Sequence, residues 1–123
     1  MAQYILEDRR SIDRAHLSNM LENDNGVPTL EIKLHYAKDS RRRGLKISVY
    51  RTLETDFGCS YDIMNDHNGL VHLVDMSRKP SPKIAAQWKS AVESRLDAVA
   101  EIALASAKPD WRAVSALFAG GAV

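Results

Sequence analysis

The chain has 123 residues, of which 45% are hydrophobic and 27% charged, and its formal net charge is +1. These values are typical of a globular protein and argue against a disordered or strongly basic chain, so we expect a single domain over residues 1–123. The single cysteine, Cys59, cannot form an internal disulfide and favours a reducing compartment. No apolar run approaches the roughly 20 residues of a membrane span, and the N-terminus lacks a secretory pattern. We therefore expect a cytoplasmic protein without a membrane partner.

A short apolar segment and a helix are the first predicted elements. The segment MAQYIL suits a strand or an anchoring arm. Residues 11–24 predict an N-terminal helix, because Ser11 suits the N-cap, apolar residues recur on one face and Gly26 follows the end.

The first predicted hairpin follows this helix. Residues 29–37 and 45–53 alternate apolar and polar side chains, which is typical of half-buried strands, and a turn containing Gly44 joins them. One face of the pair is apolar. The opposite, solvated face is expected to carry Lys33, His35, Lys46, Ser48 and Tyr50.

A second hairpin is predicted from residues 59–64 and 69–76. They flank Asn68-Gly69, a dipeptide that favours tight turns because both central residues need a positive φ. Together the two hairpins predict a four-stranded antiparallel meander.

A long amphipathic helix is the clearest element of the chain. Ser81 suits its N-cap and Pro82 its first turn, and the pattern extends over residues 81–107. A short C-terminal helix follows Pro109. The predicted fold is thus α+β: an N-terminal helix, a four-stranded antiparallel meander, a long helix packed on one sheet face and a short C-terminal helix. The contacts expected between long helix and sheet join Ile84, Trp88, Val92, Leu96 and Val99 to Leu30, Ile32, Leu34, Ile47 and Val49.

Charge is distributed unevenly along the predicted strands. Residues 33–51 hold seven basic residues and one acidic residue, whereas residues 52–77 hold five acidic residues and no lysine or arginine. Three consecutive arginines, residues 41–43, lie beside the first turn. A solvated turn would explain them, since turn residues are usually polar. Alternatively they contact an acidic protein surface or phosphates, because the guanidinium fork binds either group with two hydrogen bonds.

Catalytic and metal-binding motifs are weak. Cys59 with His67 or His72 suggests a thiol nucleophile and base, but a small buried cysteine is the commoner role. Asp66, His67 and His72 include metal-ligating side chains, but their spacing matches no closed structural site. We therefore expect neither an enzyme nor a cofactor nor a bound metal.

A binding function is the remaining interpretation. We expect a small inhibitor or adaptor of a larger protein, for example a phage-type inhibitor of host defence that occludes a nucleic-acid-binding site by placing carboxylates where phosphates would bind. The alternative is a nucleic-acid-binding protein that uses the basic hairpin, residues 33–51; the acidic segment beside it would repel a long phosphate backbone. Trp111 is a candidate interface anchor, with a homodimer as one option. The residues expected to contact a partner are Arg41, Arg42, Arg43, Lys46, Lys33, Tyr50, Asp62, Asp66 and Trp111.

Overall fold

The computed structural model describes residues 4–11, 27–38, 42–54, 60–62, 69–105 and 109–122. Strands and helices both occur in these ranges, and all of the strand pairs are antiparallel, which confirms an α+β fold with an antiparallel sheet. The strands are β1 (Tyr4–Ser11), β2 (Val27–Lys38), β3 (Arg43–Glu54), β4 (Ser60–Asp62) and β5 (Gly69–Asp75). The helices are α1 (Pro82–Glu93), α2 (Leu96–Leu104) and α3 (Trp111–Ala116).

The predicted N-terminal helix lies outside the described residues apart from its proposed cap. Ser11 is the last residue of β1 and pairs with Thr29 of β2, so it belongs to the sheet. The first described element is therefore a strand, which begins within the apolar segment that suited either a strand or an anchoring arm.

The β2–β3 hairpin is confirmed and is the longest strand pair. Its register extends from Val27↔Glu54 to Lys38↔Arg43. Gly44 lies within β3 and not in the turn, which differs from the prediction. A Cβ atom at this position would lie 1.9 Å from the carbonyl oxygen of Val74, so glycine here permits the close approach of β5.

The second predicted hairpin is wrong. Strands β4 and β5 both pair with β3, at Thr52–Glu54 and at Gly44–Val49 respectively. Because β2 occupies the opposite edge of β3, β4 and β5 lie in line along one edge and do not form a hairpin with each other. Gly69 serves packing rather than a turn: its backbone is extended, and a Cβ atom there would lie 2.7 Å from the Trp111 ring.

The apolar core lies between one sheet face, called the core face, and the helices. Leu30, Ile32 and Leu34 of β2 face Arg51, Val49 and Ile47 of β3 across the ladder, and all six are fully buried. Trp88, Val92 and Val99 join this cluster, with Ile84 and Leu96 partly buried against it, as predicted. All three helices contribute to this core.

The predicted long helix is two helices. After Glu93 the chain leaves helical geometry at Arg95, whose φ is −119° and ψ 10°. The Ser94 hydroxyl and the Arg95 guanidinium both donate hydrogen bonds to the carbonyl of Ala91, at 2.8 and 2.9 Å. Side-chain donors that engage the helix carbonyls in this way favour termination over continuation. Neither helix, nor any other in the described ranges, has the length and hydropathy to cross a membrane.

Candidate interaction surface

The second sheet face, called the polar face, is formed by the alternate residues of the same strands. Cross-strand pairing places Lys33 opposite Ser48 and His35 opposite Lys46. The same rows continue into β1 and β5. Residues of these flanking strands on the polar face are Tyr4, Glu7, Arg9, Leu70 and His72.

Three large hydrophobic side chains are exposed on this face. Tyr4 is 44% exposed, Tyr50 36% and Leu70 59%, and they are the exposed large hydrophobic residues of the described part of the chain. Sequence analysis identified Tyr50 but missed Tyr4 and Leu70. The signal for Leu70 was its place beside buried Val71, because neighbouring strand residues point to opposite faces.

Lys33 links the two tyrosines. Its amine lies 4.8 Å from the centre of the Tyr4 ring and 5.9 Å from that of Tyr50, within the range of cation–π attraction. The same amine is 3.3 Å from a carboxylate oxygen of Glu31. These contacts hold an aromatic and cationic cluster in place on the sheet.

A buried row crosses the middle of the polar face. Lys46 pairs with His35 on β2 and with His72 on β5. Lys46 is 1% exposed, Ser48 5% and His35 9%, so the expectation that this face is solvated is wrong at its centre. The Lys46 amine donates to the carbonyl of Arg42 at 3.5 Å, which offsets part of the cost of burying it.

His72 belongs to an ion cluster at the end of β5. Its Nε2 donates a hydrogen bond to Asp75 Oδ1 at 2.8 Å, and Arg42 Nε lies 3.3 Å from the same oxygen. The Arg42 hydrogen bond, with a smaller contribution from His72, holds the pKa of the Asp75 carboxyl below its usual range. Asp75 is therefore ion-paired within the chain.

The described arginines of the basic turn, Arg42 and Arg43, contact the last residue of β5 and the segment that follows it. Arg43 Nη1 donates to the carbonyl of Ser77 at 3.1 Å, while Arg42 reaches Asp75. Both pairs are exposed, and exposed ion pairs contribute little to stability. Arg41 lies outside the described residues.

The remaining predicted contact residues are placed as follows. Asp62 ends β4 and pairs with Thr52, whereas Asp66 lies outside the described residues. Trp111 begins α3 and is partly buried, with its ring against Gly69 and the Arg51 guanidinium 5.8 Å from its centre. Packing against the sheet accounts for much of the burial of the Trp111 ring.

Arg51 differs from the other cations of the basic hairpin. It is fully buried on the core face, and its Nη1 donates to the carbonyl of Ala103 at 3.4 Å. That carbonyl lies in the last turn of α2, where basic side chains are favourable. Counting residues in the sequence could not separate this internal arginine from surface ones.

One histidine–carboxylate pair among the described residues is of a kind found in catalytic sites. His72 and Asp75 resemble the base and orienting carboxylate of a hydrolase, and the His72 Nδ1 atom is buried without a hydrogen-bond partner among the described residues. No cluster of three metal-ligating side chains occurs in the described ranges. Cys59 and His67 lie outside them.

Comparison of the chain with known protein families, curated proteins and solved structures gives no match.

Proposed function

We propose that this protein is a small non-enzymatic binding module that acts as an inhibitor or adaptor of a larger protein, which it contacts through the polar face of its sheet. One observation carries the proposal: Tyr4, Tyr50 and Leu70 are exposed on the same sheet face. Exposed apolar side chains that share a face mark interaction surfaces, and tyrosine is enriched at the energetic centres of protein interfaces.

Charge suggests the chemistry of the partner. Exposed Arg43 lies at the hairpin end, where it can attract carboxylates, and the adjacent Arg42 is already paired with Asp75. At the β1 side, a cleft is lined by three carboxylates and two cations: Glu7, Asp8, Glu31, Arg9 and Lys33. A partner with acidic groups at one end of its surface and basic groups at the other would complement both regions.

A nucleic-acid-binding function is the second candidate. Tyr4 and Tyr50 beside Lys33 combine aromatic rings with a cation on one sheet face, as single-stranded nucleic-acid binders do. However, the carboxylates of Glu7 and Glu31 lie on the same face and would repel phosphates. This mixture of charges favours the protein partner.

The phosphate-mimic version of an inhibitor receives less support from the described residues. Among them, Asp75 is paired with Arg42 and His72 and cannot present a free carboxylate to a basic site. The described carboxylates on the β1 side share their cleft with Arg9 and Lys33. We therefore propose contact through the polar face rather than phosphate mimicry.

Affinity capture from the native host, with the wild type, a variant and a matched control as baits, tests the proposal. The bait proteins are the wild type, a Tyr50→Ala/Leu70→Ala variant and a Lys89→Ala control on the exposed side of α1, each used with and without nuclease. We expect one protein to be captured by the wild type and the control, regardless of nuclease, and lost with the double variant. Loss of a central tyrosine contact weakens binding by about tenfold or more.

Direct binding then completes the test. The captured protein, once purified, should bind the wild type with an affinity that falls as salt rises, because screening weakens the arginine contribution. Identical capture by all three baits contradicts the proposal. Capture that nuclease abolishes, together with oligonucleotide binding that falls steeply with salt, would support the nucleic-acid alternative.

A further inference from the structure

The two ends of β1 are attached to the rest of the protein in different ways. At the C-terminal end, Arg10 donates to Asp8 at 2.9 Å and to Asp97 of α2 at 2.8 Å. At the N-terminal end, the register shifts between Tyr4 and Leu6, so Tyr4 lies beyond a β-bulge. A bulge interrupts the ladder and leaves the residue beyond it less firmly paired.

Tyr4 is attached mainly through its ring. The ring makes an edge-to-face contact with the His35 imidazole, with 5.8 Å between the ring centres, and lies under the Lys33 amine. Its only described partner in the ladder is His35. The state of the His35 ring therefore affects how Tyr4 is held.

The surroundings of His35 disfavour a positive charge. Lys46 of β3 lies directly opposite it, Lys33 is two residues away on the same face of β2, and His72 of β5 lies beyond Lys46. Tyr4 is the group facing it from β1. The nearest described carboxylate on its own strand, Glu31, is paired with Lys33.

His72 provides a contrast within the same row. Its imidazole has the Asp75 carboxylate within hydrogen-bond distance, at 2.8 Å. His35 is 9% exposed, and its Nδ1 is buried with no hydrogen-bond partner among the described residues. Of the two rings, only that of His72 has a hydrogen-bonded carboxylate among the described residues.

We infer that protonation of His35 in mild acid releases the Tyr4 end of β1 from the sheet, so that the polar face changes shape with pH. A buried ring between two lysines takes up a proton more readily once it is opened to water, so protonation and opening are coupled. This inference concerns the free protein and does not depend on the proposed partner.

The direction of the effect follows from linkage. Burial is the main cause that lowers the pKa of His35 below its usual value. A backbone hydrogen bond with Lys33 opposes this shift, and the charges of Lys46 and Lys33 add to it. The form in which the Tyr4 end of β1 is paired with the sheet is therefore fully favoured above about pH 6.5, the ordinary histidine pKa. Its free-energy advantage over the released form decreases as the pH falls. Between pH 7.5 and 5.5 the open fraction of the Tyr4 end rises by up to about tenfold, since each pH unit below the ordinary value contributes at most a factor of ten.

Amide hydrogen exchange of the free protein tests this inference. Protection factors of residues 4–6 and of His35, each normalised to the intrinsic exchange rate at that pH, should fall severalfold between pH 7.5 and 5.5. Amides of β3 that pair with β2 should keep their protection. His35→Gln removes the titrating group and should abolish the fall, whereas the matched variant His72→Gln should retain it.

Two results would overturn the inference. One is equal protection of residues 4–6 at both pH values, and the other is the same fall in His35→Gln as in the wild type. Should His35→Gln not fold, NMR titration of the wild type decides: the Tyr4 ring signals must shift with the midpoint of the His35 imidazole. Tyr4 signals that stay constant while His35 titrates would contradict the release.

Discussion

The core face and the polar face are built from alternate residues of the same strands, yet they differ in which side chains they bury. On the core face, Ile32, Leu34 and Val49 are fully buried beneath apolar helices. On the polar face the pattern is reversed, because Lys46 is 1% exposed while Leu70 is 59% exposed. Burial of a lysine beside exposure of a leucine is opposite to what the hydrophobic effect alone selects.

We expect the core face to determine stability and the polar face to serve the proposed binding function. The apolar residues of the core face follow from transfer free energies, whereas the buried Arg51 on that face donates a hydrogen bond to the carbonyl of Ala103. On the polar face, the charge of Lys46 is buried and apolar area of Leu70 is left in water. Both arrangements lower stability, so this face is not arranged for stability alone. Substitutions on the two faces should therefore separate unfolding from binding.

The largest expected effect is on the core face. Trp88→Ala empties a site that is 6% exposed and should lower the free energy of unfolding by about 3–5 kcal/mol. Urea denaturation measures the loss, with exposed Lys89→Ala on the same helix as the control. An unchanged denaturation midpoint would remove Trp88 from the core.

A smaller effect is expected where β5 meets β3. Gly44→Ala places a methyl group 1.9 Å from the Val74 carbonyl oxygen, a backbone atom that cannot rotate away. Overpacking of this kind costs about 1–3 kcal/mol. Gly120→Ala is the matched control, because nothing lies within 4 Å of the added Cβ atom. Equal thermal stability of the two variants would show that β5 does not approach β3 this closely.

Stability should depend on pH through His35 of the polar face. The lowered pKa of His35 means that the stability linked to it is present above about pH 6.5 and is lost as the pH falls through its folded value. The melting temperature of the wild type should therefore fall from pH 7.5 to 5.5, and that of His35→Gln should fall less. A wild-type melting temperature that is constant over this range would contradict the burial of a neutral His35.

The smallest effect on stability is expected at the basic turn. Replacing Arg41, Arg42 and Arg43 with alanine removes the exposed Arg42–Asp75 pair and should change the free energy of unfolding by less than about 1 kcal/mol. Binding to an acidic partner should weaken mainly through slower association, since charges at the rim of an interface steer encounter. Stopped-flow association at two salt concentrations measures this effect; wild-type rates in the triple variant at low salt would show that the arginines are solvated turn residues.

Local patterns in the sequence predicted much of the fold. Alternation in residues 29–37 and 45–53 identified the hairpin and its two faces, because the strand period is two. The apolar stripe identified Trp88 and Val92 as core residues. These features depend on neighbouring residues, which a sequence displays directly.

The errors arose where distant residues decide the structure. Gly69 resembled a turn residue but is needed for contact with Trp111, and Gly44 for contact with Val74. The break near Ser94 depends on side chains that compete for a single carbonyl. The candidate site was predicted in part. Lys33, Lys46 and Tyr50 do share a face, and alternation beside Val71 was a signal for the exposure of Leu70, but the burial of Lys46 does not follow from alternation.

The pairing of β3 with β2 on one edge and with β4 and β5 on the other has a consequence for folding kinetics. Residues 38 and 43 pair across a short connection, so the β2–β3 hairpin closes at little entropic cost, whereas pairing Gly44 with Asp75 closes a much longer loop. The hairpin is thus expected to form in the folding transition state, with β5 joining later. Ile47→Val in β3 should slow folding, whereas Val71→Ala in β5 should mainly accelerate unfolding. The two substitutions should therefore change opposite arms of the chevron plot.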